Sequence, residues 1–284
     1  MFLHKKINKL LVPFCFFVFL TNLLMWIGKD LMHGYENGAF AGKFEWISSI
    51  QVAYYEFPAK FNNLPIWFLV CLFNTYIIYM CIHYLARKKM WVKGLLALLA
   101  GGCGHLTGYF GINIPFHIDT ALSAVPFIFM GEVIRRRSQL LVPNPYDRWG
   151  ILTAVMLFVI MIFTTPNNYG HQNFMQYYFN GICGTIAVLL LCKQIKYLPV
   201  ISYIGRYSII FLCIHQTLVG HVTNIVARYV SGALVVELIV IAIIVCIGLV
   251  TTVFMTTYLP WFCAQKDVLY FFEPQIEPQK TNNN

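Results

Sequence analysis

Long apolar segments separated by short polar or basic connections dominate this 284-residue chain. A helix rises 1.5 Å per residue and needs about 20 residues to cross the ~30 Å hydrocarbon core of a bilayer. Segments at residues 10–31, 65–85, 91–110, 118–134, 149–165, 177–192, 200–219 and 234–258 reach or approach that length. Backbone groups in hydrocarbon must be satisfied within the segment, so each segment is expected to be helical. The predicted fold class is all-α, a polytopic transmembrane helix bundle of about eight spanning helices. Residues 1–266 form one membrane domain, and 267–284 form a polar tail.

The first apolar run follows a basic start but is too long for a signal-peptide core and lacks a small-x-small cleavage site, so it reads as an uncleaved span. Pro13 is tolerable in its first turn. Between the first two spans, Phe44, Ile47, Ile50, Tyr54 and Phe57 recur at spacings of three and four. That stretch reads either as a short helix on the outer surface or as a packed external loop.

Composition agrees: 59% hydrophobic and 17% aromatic against 11% charged, where soluble chains carry about a quarter charged residues. The net charge of +9 could point to nucleic acid. Its distribution argues against that, because the Lys and Arg residues cluster at Lys5–Lys9, Arg87–Lys93, Arg135–Arg148, Lys193–Arg206 and in the tail, in alternate connections. The positive-inside rule makes those connections, and both termini, cytoplasmic. Nine cysteines lie singly in mostly apolar runs with no CxxC pair, and eight histidines show no metal-ligand spacing, so no metal site is expected.

The stretch Gly111–Arg137 carries the densest chemistry. Asp119 begins an apolar span, and Glu132 with Arg135, Arg136 and Arg137 ends it; Asp119 and Arg135 stand about 24 Å apart along a helix. An acid at the mouth of a membrane helix is costly and is a functional candidate. Glu132 pairs locally with Arg135 and Arg136, and the cations of this end could hold phosphates. In the seventh segment Arg206 lies near the cytoplasmic surface and His215 about 13 Å deeper. Ser208 shares a face with His215, but about 10 Å along the axis separates them and excludes nucleophile activation. Trp67 and Phe68 fit an interfacial aromatic belt, and His105 in GGCGHLTG is a weaker polar candidate.

Four stretches in order, KKINKLLVPF, LPIWFLVCLF, IPFHIDTALSAVPFIFMGEVIRR and YIGRYSIIFLCIHQ, resemble the acyltransferase-3 type of membrane acyltransferases, and within it the bacterial sugar O-acetyltransferase or fucose 4-O-acetylase-like branch. The resemblance implies a multi-pass protein of the bacterial cytoplasmic membrane. Such a protein moves an acetyl group from acetyl-CoA to a hydroxyl of a cell-surface carbohydrate or lipid-linked glycan, with membrane lipid around it and no bound cofactor or nucleic acid. Carried over by motif, Asp119, Arg206 and His215 fall on the family's characteristic polar positions and Trp67 on its WF element; with the candidates read from the residues themselves, His215 and Asp119 are the catalytic candidates, Arg135, Arg136 and Arg206 would bind the donor, and Trp67 and His105 would meet the substrate.

The family's basic-x10-His pair on its first membrane helix is not found ahead of KKINKLLVPF. The expectation is therefore a bundle lacking the family's first two helices, with activity in question. The competing class is a non-catalytic remnant, or a bundle that binds or helps export a glycan or lipid.

Overall fold

The computed structural model describes residues 2–31, 64–87, 89–137, 142, 144, 147–164, 173–195 and 198–268. The stretch around Phe44–Phe57, read as a surface helix or loop, and the tail beyond Val268 lie outside the described residues. Each of the eight apolar segments forms helix. The order is α1 (Phe2–Lys6), a π-helical turn (Ile7–Leu11), α2 (Val12–Leu31), a 3₁₀ turn (Leu64–Ile66), α3 (Trp67–Leu85), α4 (Met90–Tyr109), α5 (Ile118–Arg136), α6 (Arg148–Thr164), α7 (Phe174–Gln194), α8 (Pro199–Arg206), α9 (Ser208–Tyr229) and α10 (Ala233–Tyr258). Among the described residues six helices are long and apolar enough to cross a membrane, and α6 is apolar but shorter. The fold is an all-α polytopic helix bundle.

The seventh segment differs from expectation. Residues 200–219 are not one span: α8 is a short helix ending at Arg206, the chain bends at Tyr207, and α9 runs on to Tyr229. Arg206 and His215 thus belong to different helices. Near the N-terminus, Pro13 has no N–H to donate to the carbonyl four residues back. The chain adopts a π turn just before it, with the Val12 N–H reaching Ile7 O.

The helices divide into two compact units. The larger comprises α3 beyond Leu69 and α4 to α8. Its core is set by a stripe on α4, Lys93, Ala97, Gly101 and Gly104, spaced four, four and three residues and buried throughout. Small residues at such spacing let helix backbones approach closely. A Cβ on Gly104 would lie 2.5 Å from the Ser123 backbone nitrogen, and one on Gly101 2.6 Å from Pro126 Cγ and 2.6 Å from the Tyr178 hydroxyl. Ala121, Val125 and Pro126 of α5 are buried on the facing side, and Tyr178 of α7 donates to Ser123 O at 2.8 Å. Helix α6 packs on α7; Ala154 and Ala187 are fully buried, and Thr164 hydrogen-bonds Asn180 at 2.7 Å.

The second unit comprises α1, α2, the turn before α3, α9 and α10. Helix α10 packs on α9 through Val236 and Val240 against Val226, and Phe211 lies over Gly248, where a Cβ would come within 2.2 Å of its ring. After α10 the chain turns back onto α1 and α2. Phe262 stacks on Phe16 at 4.4 Å, and the Val268 N–H donates to buried Asn8 Oδ1 at 2.9 Å.

Two glycines on the same helix separate close packing from helix propensity. Gly104→Ala is expected to lower stability by about 1–3 kcal/mol, because its methyl would meet backbone. Gly102, with nothing within 4 Å of a built Cβ, should tolerate Ala with no loss, or with a gain below about 1 kcal/mol. Thermal unfolding of the two variants in detergent, followed by circular dichroism, measures the difference.

Candidate active site

The N-terminal end of α5 is entered through strained backbone. Phe116 and His117 have φ of 62° and 56°, a left-handed conformation that disfavours residues with a Cβ. Two such residues in sequence cost of order 1–3 kcal/mol each and persist only where their surroundings hold them. Asn74 of α3 supplies one hold, its Nδ2 donating to Phe116 O at 2.7 Å. The turn delivers Asp119 into the first turn of α5, where the positive end of the helix dipole favours a carboxylate. Asp119 is half-buried, and its carboxylate makes no hydrogen bond or ion pair among the described residues. Its carbonyl accepts from Ser123 Oγ at 3.3 Å. His105 follows Gly104, which packs on this turn, but its ring lies edge-on to Phe174 at 5.5 Å, an aromatic packing role.

At the other end of α5, Glu132 is the acceptor of a cluster drawn from three helices. Lys93 Nζ of α4 lies 3.0 Å from Oε1 and 3.3 Å from Oε2. Arg136 donates to Oε1 through Nε at 3.1 Å and Nη2 at 2.7 Å, and the Tyr79 hydroxyl of α3 donates to Oε2. Lys93 is 0% exposed. A charge taken so far from water costs several kcal/mol, which an ion pair offsets only with good geometry and added hydrogen bonds.

The structure corrects the local reading of Glu132. Arg136 pairs with it and Arg135 does not, and two partners come from other helices. Lys93, counted above among surface cations, is the most buried of the group. Its place on the Ala97–Gly101–Gly104 stripe, four residues before Ala97, was the signal in the sequence.

Of the arginines expected to bind the donor, Arg136 is therefore engaged, whereas Arg135 and Arg206 are exposed and make no ion pair among the described residues. Lys193, another cation of the basic clusters, lies 4.0 Å from Asp147.

In the second unit, His215 of α9 is half-buried, with Nδ1 3.0 Å from the carbonyl oxygens of both Phe211 and Leu212. Carbonyl oxygens only accept, so Nδ1 carries the hydrogen and the neutral ring keeps its lone pair on Nε2. That is the tautomer a general base at Nε2 requires. Ser208, two turns away, is not its partner. Trp67 opens α3 half-buried, its ring edge-on to Phe68 at 6.3 Å. Asp119, His105, Arg135, Arg136 and Arg206 belong to one unit, and His215 and Trp67 to the other.

The asymmetry of the Glu132 cluster is measurable. Glu132→Leu strands Lys93 as a buried, unpaired cation and is expected to cost about 3–5 kcal/mol. Lys93→Met should cost less, because Glu132 keeps Arg136, Tyr79 and some contact with water. The double variant should recover most of the Glu132→Leu loss, and unfolding in detergent across the four proteins checks the cycle.

The sequence profile of the acyltransferase-3 family, described as an acyltransferase domain, matches residues 1–258. No curated protein and no solved structure matches the chain. Strained entry, acid, cation cluster and base-competent histidine all fall within the matched span, and the chain belongs to the acyltransferase-3 family of membrane acyltransferases.

Proposed function

We propose that this membrane acyltransferase transfers an acetyl group from cytoplasmic acetyl-CoA to a hydroxyl of a cell-surface carbohydrate or lipid-linked glycan. Family membership supports acyl transfer, and the observation that carries the choice of donor is the free charge at the inner end of α5. Glu132 is satisfied by Lys93, Tyr79 and Arg136, so Arg135 is not neutralised by its own acid and can meet the phosphates of a CoA ester. Arg206, at the end of α8, is a second such cation.

Sidedness follows from the same charges. The basic helix ends face the cytoplasm of a bacterial inner membrane. The Val268 to Asn8 hydrogen bond supports both termini lying on that one side.

In the reaction the acceptor hydroxyl oxygen attacks the thioester carbonyl, a C–O bond forms and the C–S bond breaks. The hydroxyl proton passes to a base and then to the departing CoA sulfur. His215 Nε2 is the base we assign, held in the required tautomer by its Nδ1 contacts. Asp119, a carboxylate without a cation partner among the described residues, is the acid–base candidate of the other unit. Holding the tetrahedral oxyanion requires further donors.

Membranes containing the protein and acetyl-labelled CoA are expected to accumulate label in the glycan fraction. His215→Ala should lower that rate by about 10²–10⁴-fold, the range for loss of a general base. Arg135→Ala should leave kcat nearly unchanged and raise the KM for acetyl-CoA by about 10-fold, as loss of one charge-assisted contact does. Transfer unaffected by His215→Ala would remove that residue from the chemistry, and no transfer by the wild type would favour a binding or export bundle.

A further inference from the structure

Helix α8 neither crosses the membrane nor enters the core of its unit. Its eight residues rise about 12 Å, well short of the ~30 Å hydrocarbon thickness, and none of them is buried. Both of its neighbours along the chain are candidate spans, α7 ending at Gln194 and α9 beginning at Ser208. Four residues, 195–198, join α7 to Pro199, and Tyr207 alone joins Arg206 to α9. Four extended residues reach about 14 Å at most. Helix α8 is therefore tied at both ends to one boundary of the bilayer, the one where the α7 span finishes and the α9 span starts.

Its residues are sorted by face. At about 100° per residue, Val200, Ile201 and Ile204 fall within an arc of about 100°, and Ser202 and Arg206 fall on the opposite side. The apolar arc is open: Val200 is 52% and Ile201 63% exposed, and Ile204 is partly covered. On the polar side Ser202 and Arg206 are exposed, and a Cβ built on Gly205 beside them would meet nothing within 4 Å. Tyr203 and Tyr207 pack ring to ring at 4.8 Å along the flank, and tyrosine is enriched where membrane meets water.

The size of the apolar arc decides what covers it. A specific protein interface buries about 800 Å² on each partner, and a 12 Å helix with three apolar side chains on one arc offers far less. Acyl chains need no such area, and a short helix with one apolar face lies in the plane of the interface with that face sunk about 5–10 Å. Charge selects the headgroup. From Lys193 to Arg206 the chain carries Lys193, Lys196 and Arg206 and no acid. Lys193 lies 4.0 Å from Asp147, whereas Arg206 makes no ion pair among the described residues, and a cationic segment at a membrane surface attracts anionic lipid.

We infer that α8 is an interfacial helix docked on anionic phospholipid, with Val200, Ile201 and Ile204 among the acyl chains and Arg206 at the level of the lipid phosphates. By the positive-inside rule the leaflet is the cytoplasmic one. The inference does not rest on the acetyl-transfer reading, which gives Arg206 a contact with the same chemical group, a phosphate, on a different molecule.

Photocrosslinking of the full-length protein tests it. Val200, Ile201 or Ser202 is replaced, one at a time, by p-benzoylphenylalanine. Each variant is irradiated in host membranes and in vesicles of equal parts phosphatidylcholine and phosphatidylglycerol, and the adducts are weighed by intact-protein mass spectrometry. Positions 200 and 201 are expected to give phospholipid adducts about 5-fold or more above position 202. In the vesicles phosphatidylglycerol should exceed phosphatidylcholine about 3-fold in those adducts, and Arg206→Gln should lower that ratio while leaving the total lipid adduct unchanged.

Adducts of positions 200 and 201 with protein in place of lipid overturn the docking, and so does a lipid yield no higher than at position 202. An even split between the two phospholipids overturns the choice of anionic lipid. Should the bulky residue at position 201 keep the chain out of the membrane, position 200 carries the same comparison with position 202.

Discussion

A lysine ammonium with no exposure to solvent, held by one carboxylate inside a membrane protein, sets the terms for the larger unit. Lys93 occupies the first position of the stripe whose later members are Ala97, Gly101 and Gly104. The close approach of α4 and α5 that the glycines permit is what excludes water from Lys93. Packing and charge pairing are therefore one constraint, because the helices can close only if Glu132 lies opposite the ammonium. Tyr79 brings α3 into the same arrangement through the second carboxylate oxygen. With its acceptor sites occupied by these partners and Arg136, Glu132 offers nothing to Arg135. A structural requirement at the core thereby leaves Arg135, an exposed cation, without an acid partner among the described residues.

Much of this fold was legible in the sequence because bilayer thickness is a coarse ruler. An apolar run of about 20 residues means a helix whatever its neighbours are, and all the segments but the seventh formed helices within a few residues of their predicted ends. Hydropathy failed where the average over a window and the pattern on a face disagree. Residues 220–229 contain Thr223, Asn224 and Arg228 and fall between the predicted spans, yet Val222 and Val226 recur at four-residue spacing and meet α10, which keeps the chain helical to Tyr229. The bend at Tyr207 left no mark in composition, since no proline separates α8 from α9. Lys93 was concealed by success of another rule: a basic residue between two spans already satisfied the positive-inside expectation.

The candidate site was legible as residue types and not as partnerships. Asp119 could be found from the cost of an acid at the start of an apolar run, but the left-handed turn at Phe116 and His117 could not, because neither residue favours that conformation. What holds the turn is Asn74, more than forty positions away in sequence. His215 could be placed at depth, while its tautomer depends on where two carbonyl oxygens of its own helix lie. Local pairs such as Glu132 with Arg136 are visible in helical spacing; pairs that join helices, such as Glu132 with Lys93, require the packed structure.

Helix α9 shows why depth alone does not define a site in a membrane protein. His215 shares the face of Phe211, Val222 and Val226, the face that α10 covers, whereas Thr217, His221, Asn224 and Arg228 look away from it. A helix with polar groups on two faces cannot sit at the lipid boundary without exposing one of them to hydrocarbon. Helix α10 has no such difficulty: its exposed residues include Leu238, Ile241, Val250, Val253 and Phe254, and its hydropathy is the highest of the six candidate spans. Within this unit α10 is thus the helix suited to face lipid, and it shields the apolar side of α9. By helical spacing His215 lies on that apolar side of α9, and the polar stripe lies on the other.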